Sequence, residues 1–249
     1  MNKKLYCLED QIGYVQLLRR HDDPALATVN AARCSYGGES GSYTDKDQKL
    51  SKYLWSNEHT SPFRHTFYTF QLKCPLFLFR QIVKYQVGSS WRTFEVDGQE
   101  VSFEVFEHMF DTDKGCSWNE LSGRYKELEP EFYIPKTIRG PVKQGSKQAA
   151  NEWEDSPAGN ILIGDMEFEA QCSYEFYKCL LADGVAKEMA RMFLPQNIYT
   201  TAQWTVSLQA VLHFLSQRLK PEAQYEIRKV AEAVKLLIKD DLDKLGVEI

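Results

Sequence analysis

The stretch Thr66-Phe-Tyr-Thr-Phe-Gln-Leu-Lys73 is β-branched and aromatic and alternates along its length. That pattern predicts a strand, half buried on one face. Pro75 follows almost at once, and the residues from Pro75 through Leu-Phe-Leu-Phe-Arg-Gln-Ile-Val-Lys-Tyr to Gln86 read as a helix with proline in its first turn. A strand feeding directly into a helix also fits Asn197–Val206 and then Ser207–Arg218. Tyr14–Leu18 reads as a shorter strand, and Pro24–Cys34, Lys46–Trp55, Val185–Phe193 and Pro221–Lys239 as further helices. Residues 160–182 carry Ile161, Met166, Phe168, Tyr174, Phe176 and Leu180 at the spacing of a long amphipathic helix. With no internal repeat and no strong linker, the expectation is one α+β domain over residues 1–249. An antiparallel or mixed sheet would be flanked by long helices.

Composition narrows the function classes. The 249 residues are 43% hydrophobic and 26% charged, enough to bury a sizeable core. A formal net charge of -5 argues against a general nucleic-acid binder, although local basic patches for small phosphorylated ligands stay open. Glu9, Asp10 and Gln11 interrupt any apolar run after the first lysines, so no signal peptide is expected. No run reaches the length of a membrane span. Cys7, Cys34, Cys74, Cys116, Cys172 and Cys179 form no C-x-x-C pair and no zinc-type spacing. They read as reduced, mostly buried thiols of a cytoplasmic protein, with no metal site.

Chemistry concentrates in Trp118-Asn-Glu-Leu-Ser-Gly-Arg-Tyr125, where an amide, a carboxylate, a hydroxyl, a guanidinium and a phenol surround Gly123. No apolar stripe explains that mixture. It reads as backbone that something approaches closely at Gly123, with the planar fork of Arg124 ready for phosphate or carboxylate. The alternative is a helix start capped by Ser122 or Asn119. On the predicted helix after Pro75, Gln81 and Lys84 lie three apart and Arg80 and Lys84 four apart, so their side chains converge. Residues Arg92–Phe103 read as a hairpin turned at Asp97-Gly98. Lys136–Gly159 reads as a loop. Its Gly140-Pro-Val-Lys-Gln-Gly-Ser-Lys147 lacks the order and the preceding strand of a phosphate-binding loop.

Taken in order, these pieces resemble the flavin-dependent thymidylate synthases from about Ala31 to about Ala233. The resemblance rests on Ala31-Ala-Arg-Cys-Ser35, His59-Thr-Ser-Pro-Phe-Arg-His65, Pro75-Leu-Phe with Arg80-Gln81, and Asn119-Glu-Leu-Ser-Gly-Arg-Tyr125. Further fragments are Glu131-Phe-Tyr-Ile-Pro135, Ala190-Arg-Met-Phe-Leu-Pro195, Trp204-Thr-Val206, Phe214-Leu215 with Arg218, and Ala223-Gln224. It implies methylation of dUMP at C5, with 5,10-methylenetetrahydrofolate as carbon donor and FAD, reduced by NADPH, as hydride source. It also implies a homotetramer with shared active sites. Carried over by position, Gln81, Lys84, Glu120, Ser122, Gly123, Arg124, Arg191 and Arg218 contact dUMP. Arg124 and Arg191 hold the phosphate, and Arg218 stands by the pyrimidine. Ser35, His59, Ser61, Lys84, Tyr85, Gln86, Glu120, Ser207 and His213 fall at positions around the FAD. Arg218, Ser122 and His59 are the candidate catalytic residues, Ser122 as a polarising or positioning group and His59 as a gate or stacking group.

The chain departs from the family in two places close together. Lys84-Tyr85-Gln86 stands where the family has Arg-His-Arg, which leaves one cation and no histidine. Lysine does not reproduce arginine's bidentate fork. About thirty residues, Val87–Trp118, then replace a short connection, and Trp91 or Arg92 on the hairpin would be a source of substitute contacts. Glu222, His213 and Gln209 also depart from residues found in relatives. These departures leave two alternatives open: hydroxymethylation of a pyrimidine nucleotide at C5, and a silent nucleotide-binding subunit.

Overall fold

The structure is a computed structural model and describes residues 4–85, 90–96, 99–105, 116–141, 152–154 and 157–249. Its elements run β1 (Lys4–Tyr6), β2 (Tyr14–Arg20), α1 (Pro24–Cys34), α2 (Asp45–Ser56), a 3-10 turn (Ser61–Arg64), β3 (Phe67–Pro75) and α3 (Leu76–Ile82). Next come β4 (Ser90–Val96), β5 (Gln99–Val105), β6 (Cys116–Glu120), β7 (Ile138–Gly140) and β8 (Glu152–Glu154). The chain continues through α4 (Pro157–Ala182), α5 (Lys187–Ala190), a second 3-10 turn (Arg191–Phe193), β9 (Tyr199–Ser207), α6 (Leu208–Arg218), α7 (Tyr225–Leu237) and α8 (Lys239–Leu245).

The main sheet is antiparallel in the order β1-β2-β3-β9-β6. β3 and β9 pair along their whole lengths, from Phe67↔Ser207 to Pro75↔Tyr199. The alternation read from residues 66–73 is real: Tyr68, Phe70, Leu72 and Cys74 are buried, and Ala202, Trp204 and Val206 face the same core from β9. Phe214 and Leu215 of α6, Ile227, Val230 and Val234 of α7, and Leu78 and Ile82 of α3 complete it. A smaller cluster of Tyr177, Ala190, Leu194 and Ile198 seats α4 and the turn after α5.

Local sequence explains most boundaries. Asp23 Oδ1 accepts from the Leu26 N–H at 3.0 Å, with Pro24 next in line, so α1 starts where the sequence places it. Gly37, at φ +67°, turns the chain out of it. In front of α2, Asp47 Oδ2 accepts from the Thr44 N–H at 2.7 Å and from its hydroxyl at 2.6 Å. Ser207 caps α6, its Oγ accepting from the Ala210 N–H at 3.2 Å. At the far end of the chain, Asp241 on α8 is ion-paired with Arg20 on β2 and accepts from the Tyr68 hydroxyl on β3 at 3.2 Å.

Several expectations are corrected. α3 stops at Ile82, so Lys84 sits in the following turn and not on the helix; that turn carries Tyr85 into the core against Phe214, ring centroids 5.1 Å apart. Residues 116–120 form an edge strand on β9, and a turn follows; neither is a helix start. The predicted helix 185–193 is α5 plus a 3-10 turn. The predicted helix from Pro221 starts at Tyr225 and breaks near Ile238 into α7 and α8. The loop 136–159 contains the β7–β8 pair and the first residues of α4. The β4–β5 pairing agrees with the predicted hairpin, while its Asp97-Gly98 turn lies outside the described residues. Cys34, Cys172 and Cys179 are exposed and not buried. On α4, Ile161, Met166, Phe168 and Phe176 are also exposed, so its apolar residues do not all face this chain's core.

Candidate active site

α6 is long enough to carry Arg218, in its last turn, to the level of the turn after α3. There its guanidinium lies 5.4 Å from the centre of the Tyr85 ring. Tyr85 is gripped from two further sides by Phe214 and, at 5.5 Å, by His213. Burial pushes the Tyr85 phenol up, with the Arg218 guanidinium pulling it back. His213 shifts the other way: burial lowers it, and the cations of Lys220 and Arg218 lower it further. The imidazole is therefore neutral at neutral pH, and Arg218 supplies the positive charge here. The Nε of Arg218 is buried without a hydrogen-bond partner among the described residues.

These side chains wall a cleft of about 740 Å³, lined by Gln81, Tyr85, Gln217, Arg218, Lys220, Glu222, Ala223 and Gln224. Gln81 comes from the last turn of α3, and its Nε2 donates to Gln224 Oε1 at 2.7 Å. The size and the few convergent polar groups fit a small-molecule site.

The second group forms around Gly123. β6 leaves the sheet after the Leu121 N–H bonds to the Thr201 carbonyl at 2.8 Å. Ser122 then organises the turn: its carbonyl accepts from the N–H groups of Tyr125 and Lys126, and its Oγ from that of Arg124 at 3.3 Å. Gly123 is buried, and a Cβ placed on it would stand 3.3 Å from Cδ of Arg191. What approaches this glycine within the chain is thus the stem of Arg191. Arg124 is exposed, held beside Tyr125 by a 3.0 Å hydrogen bond. Desolvation raises the Glu120 carboxyl, while the Trp118 indole and the Arg191 guanidinium pull it back. Phe79 of α3 packs edge-on against Trp118 at 5.0 Å, which ties the helix of Gln81 to the strand that ends at Glu120.

The remaining predicted residues sit elsewhere. Ser35 caps the end of α1, Ser61 opens the first 3-10 turn, and His59 is exposed with its ring 6.1 Å from that of Tyr53. Ser207 is buried as the α6 cap, Lys84 is exposed in its turn, and Gln86 lies outside the described residues. Sequence reasoning missed the groups behind Gln224: Glu226, Tyr133 and Arg139. Glu131–Pro135 stands out in the sequence as a family-like motif, but only the fold shows that Tyr133 faces Glu226.

Residues 16–242 match the family model of the thymidylate synthase complementing proteins. The chain belongs to the flavin-dependent thymidylate synthase family. Relatives of that name from Thermus thermophilus and Kosmotoga olearia are 37% and 33% identical, over 92% and 91% of this chain and 72% and 85% of their own lengths. A solved structure of PolB, a UMP/dUMP methylase from Streptomyces cacaoi bound with 5-Br dUMP, superposes with a TM-score of 0.72. It is 26% identical and covers 93% of this chain and 94% of its own. The family's α+β fold is the one described above, and membership makes the chain a flavin-dependent methyltransferase. Among the described residues no helix is long and apolar enough to cross a membrane.

Proposed function

We propose that this family member converts dUMP to dTMP, with 5,10-methylenetetrahydrofolate as carbon donor and FAD, reduced by NADPH, as hydride source. In the balanced reaction the methylene group and one hydride become the C5 methyl group, the proton that C5 gives up and one more from solvent return to the two folate nitrogens, and tetrahydrofolate and NADP are released. The observation that carries the reading is the Arg218 guanidinium, seated on Tyr85 at the cleft with Nε buried and unmatched by a described protein group. A fixed cation in a partly dry site stabilises negative charge developing on a pyrimidine as C5 is activated. A flavin fits the same place in kind, since the cleft combines a buried aromatic wall with a cation and amides. When bound and reduced it supplies the hydride.

In this reading Arg124 and Arg191 hold the dUMP phosphate, because two guanidinium forks beside the turn at Ser122 and Gly123 match its oxygens. Ser122 keeps the turn in shape and offers its hydroxyl to the nucleotide. Glu120, at the strand end, contacts the nucleotide in the same reading, and the charge of Arg191 helps keep its carboxylate ionised. Gln81 and Lys84 reach the nucleotide from the end of α3 and its turn. Ser35, His59, Ser61, Tyr85, Gln86, Ser207 and His213 are assigned to FAD in the same reading, by the family resemblance, with His59 and Ser61 also on the folate side.

A homotetramer with shared sites belongs to the same proposal. Arg191 lies among Met189, Met192 and Phe193, all exposed, and Phe193 stacks edge-on with exposed Phe176 of α4 at 5.0 Å. An apolar face of that kind is an association surface. A copy packed there would bring its own groups beside Arg191. The test is anaerobic: FAD-loaded protein is reduced with NADPH and given methylenetetrahydrofolate with dUMP or, in parallel, UMP. A product heavier than dUMP by one methylene unit supports the reading. An added hydroxymethyl group, a product from UMP alone, or bound flavin with no product overturns it.

A further inference from the structure

Gln224 faces two cavities at once. One is the cleft of Arg218; the other, about 360 Å³, is bounded by Pro135, Thr137, Ile138, Arg139, Met166 and Tyr225. Between them lies a buried carboxylate. Glu226, in the first turn of α7, is 1% exposed and ion-paired with Arg139. The Tyr133 hydroxyl donates to Glu226 Oε1 at 3.0 Å, and Gln224 Nε2 donates to Oε2 at 2.9 Å. Gln224 Oε1 in turn accepts from Gln81 Nε2 at 2.7 Å.

Each direction in this relay is forced by the one behind it. A carboxylate paired with arginine only accepts, so the amide nitrogen of Gln224 has to face it. The Gln224 carbonyl then faces Gln81, and only the amide nitrogen of Gln81 can answer. That leaves the Gln81 carbonyl as the acceptor that this side chain presents to the cleft. An isolated glutamine amide flips at little cost, whereas this one is held by two links to a fixed charge. Glu226 itself touches nothing in the cleft.

We propose that Glu226 is a positioning residue. Acting through Gln224, it fixes the amide of Gln81 so that the carbonyl accepts from an N–H or O–H donor on the bound nucleotide. The proposal rests on the reading of the cleft as the nucleotide site. It predicts coupling between residues that never touch, which a purely structural carboxylate would not produce.

The test is a mutant cycle on FAD-loaded protein, with dUMP affinity measured by calorimetry. Glu226→Gln, whose amide can turn either face to Gln224, is expected to weaken dUMP binding about ten-fold, the scale of one lost hydrogen bond. The same change in a Gln81→Ala background is expected to cost nothing further. Gln224→Met cuts the relay at an exposed residue and carries the same cycle if Glu226→Gln does not fold. Costs that add in the double variants overturn the proposal, as does a Gln81→Ala protein that binds dUMP as tightly as the wild type. Wild-type protein without dUMP affinity overturns the nucleotide reading itself, and the positioning role with it.

Discussion

The backbone of Gly123 rests against the side chain of Arg191: a Cβ at that glycine would lie 3.3 Å from Cδ and 3.8 Å from Cβ of the arginine. Gly123→Ala therefore has to displace the arginine stem by a few tenths of an ångström. The stem is flexible and exposed, so folding stability should change by no more than about 1 kcal/mol. Phosphate recognition should suffer more. Calorimetry is expected to show weaker dUMP binding at an almost unchanged melting temperature, and equal affinity would detach Gly123 from the nucleotide site.

Removing either fork directly is the stronger test. Arg124→Ala and Arg191→Ala should each cost about 1.5–3 kcal/mol in dUMP binding, the range for a hydrogen bond to a charged group. The loss should be much smaller for deoxyuridine, which has no phosphate. A variant that loses the same affinity for both ligands would place its arginine away from the phosphate.

The depressed His213 sets a pH dependence of stability. Burial, then Lys220 and Arg218, hold its folded value below the ordinary 6.5. Between that value and the lower folded one, the unfolded chain binds more protons than the folded chain, so stability falls as pH drops below about 6.5 and is flat for this group above it. Chemical denaturation from pH 7.5 to 5 should show that slope, and His213→Gln should flatten it. An unchanged slope in the variant would assign it to other groups.

The exposed face of α4 predicts a change of assembly without a change of fold. Phe168 is 67% exposed and Ile161 65%, so aspartate at both positions disturbs little of this chain's own core. Sedimentation should show the double variant shifted to smaller species while circular dichroism stays the same. Sedimentation unchanged from the wild type would move the proposed interface elsewhere.

At the other end of the molecule, Asp241→Ala leaves Arg20 and the buried Tyr68 hydroxyl without their shared partner. Breaking such a pair from one side costs about 3 kcal/mol, readable as a lower denaturation midpoint. Asp241→Asn, which keeps one acceptor oxygen for Arg20 and turns its NH2 to the Tyr68 hydroxyl as a donor, should recover part of the loss.

How much of this could be read from the chain depends on whether the cause is local. α1 falls on its predicted boundaries because Asp23, Pro24 and Gly37 act within a few residues of it. β3 was readable because its burial alternates cleanly from Tyr68 to Cys74. β6 was not, since Ser117, Asn119 and Glu120 are exposed and its pairing partner, β9, lies some eighty residues further on. α3 ends early for a reason supplied by Phe214 and His213, far along the chain, which receive Tyr85. On α4 the helical period was right, but a period names an apolar face without naming what covers it. The same limit applies at the site: the arginines and Gln81 stand out by residue type and motif, whereas Glu226 acquires its role only when folding sets it against Tyr133, Arg139 and Gln224.

The tie between Arg20 and Asp241 spans 221 positions. During synthesis, β2 and β3 leave the ribosome long before α8 does, so Arg20 and the Tyr68 hydroxyl wait in solvent-accessible, unfinished surroundings until α8 has emerged. Closure of such a distant contact comes late and slowly. A message truncated ahead of Asp241 would therefore yield a polypeptide with an open seam beside the sheet, where Arg20 and the Tyr68 hydroxyl lack their shared partner.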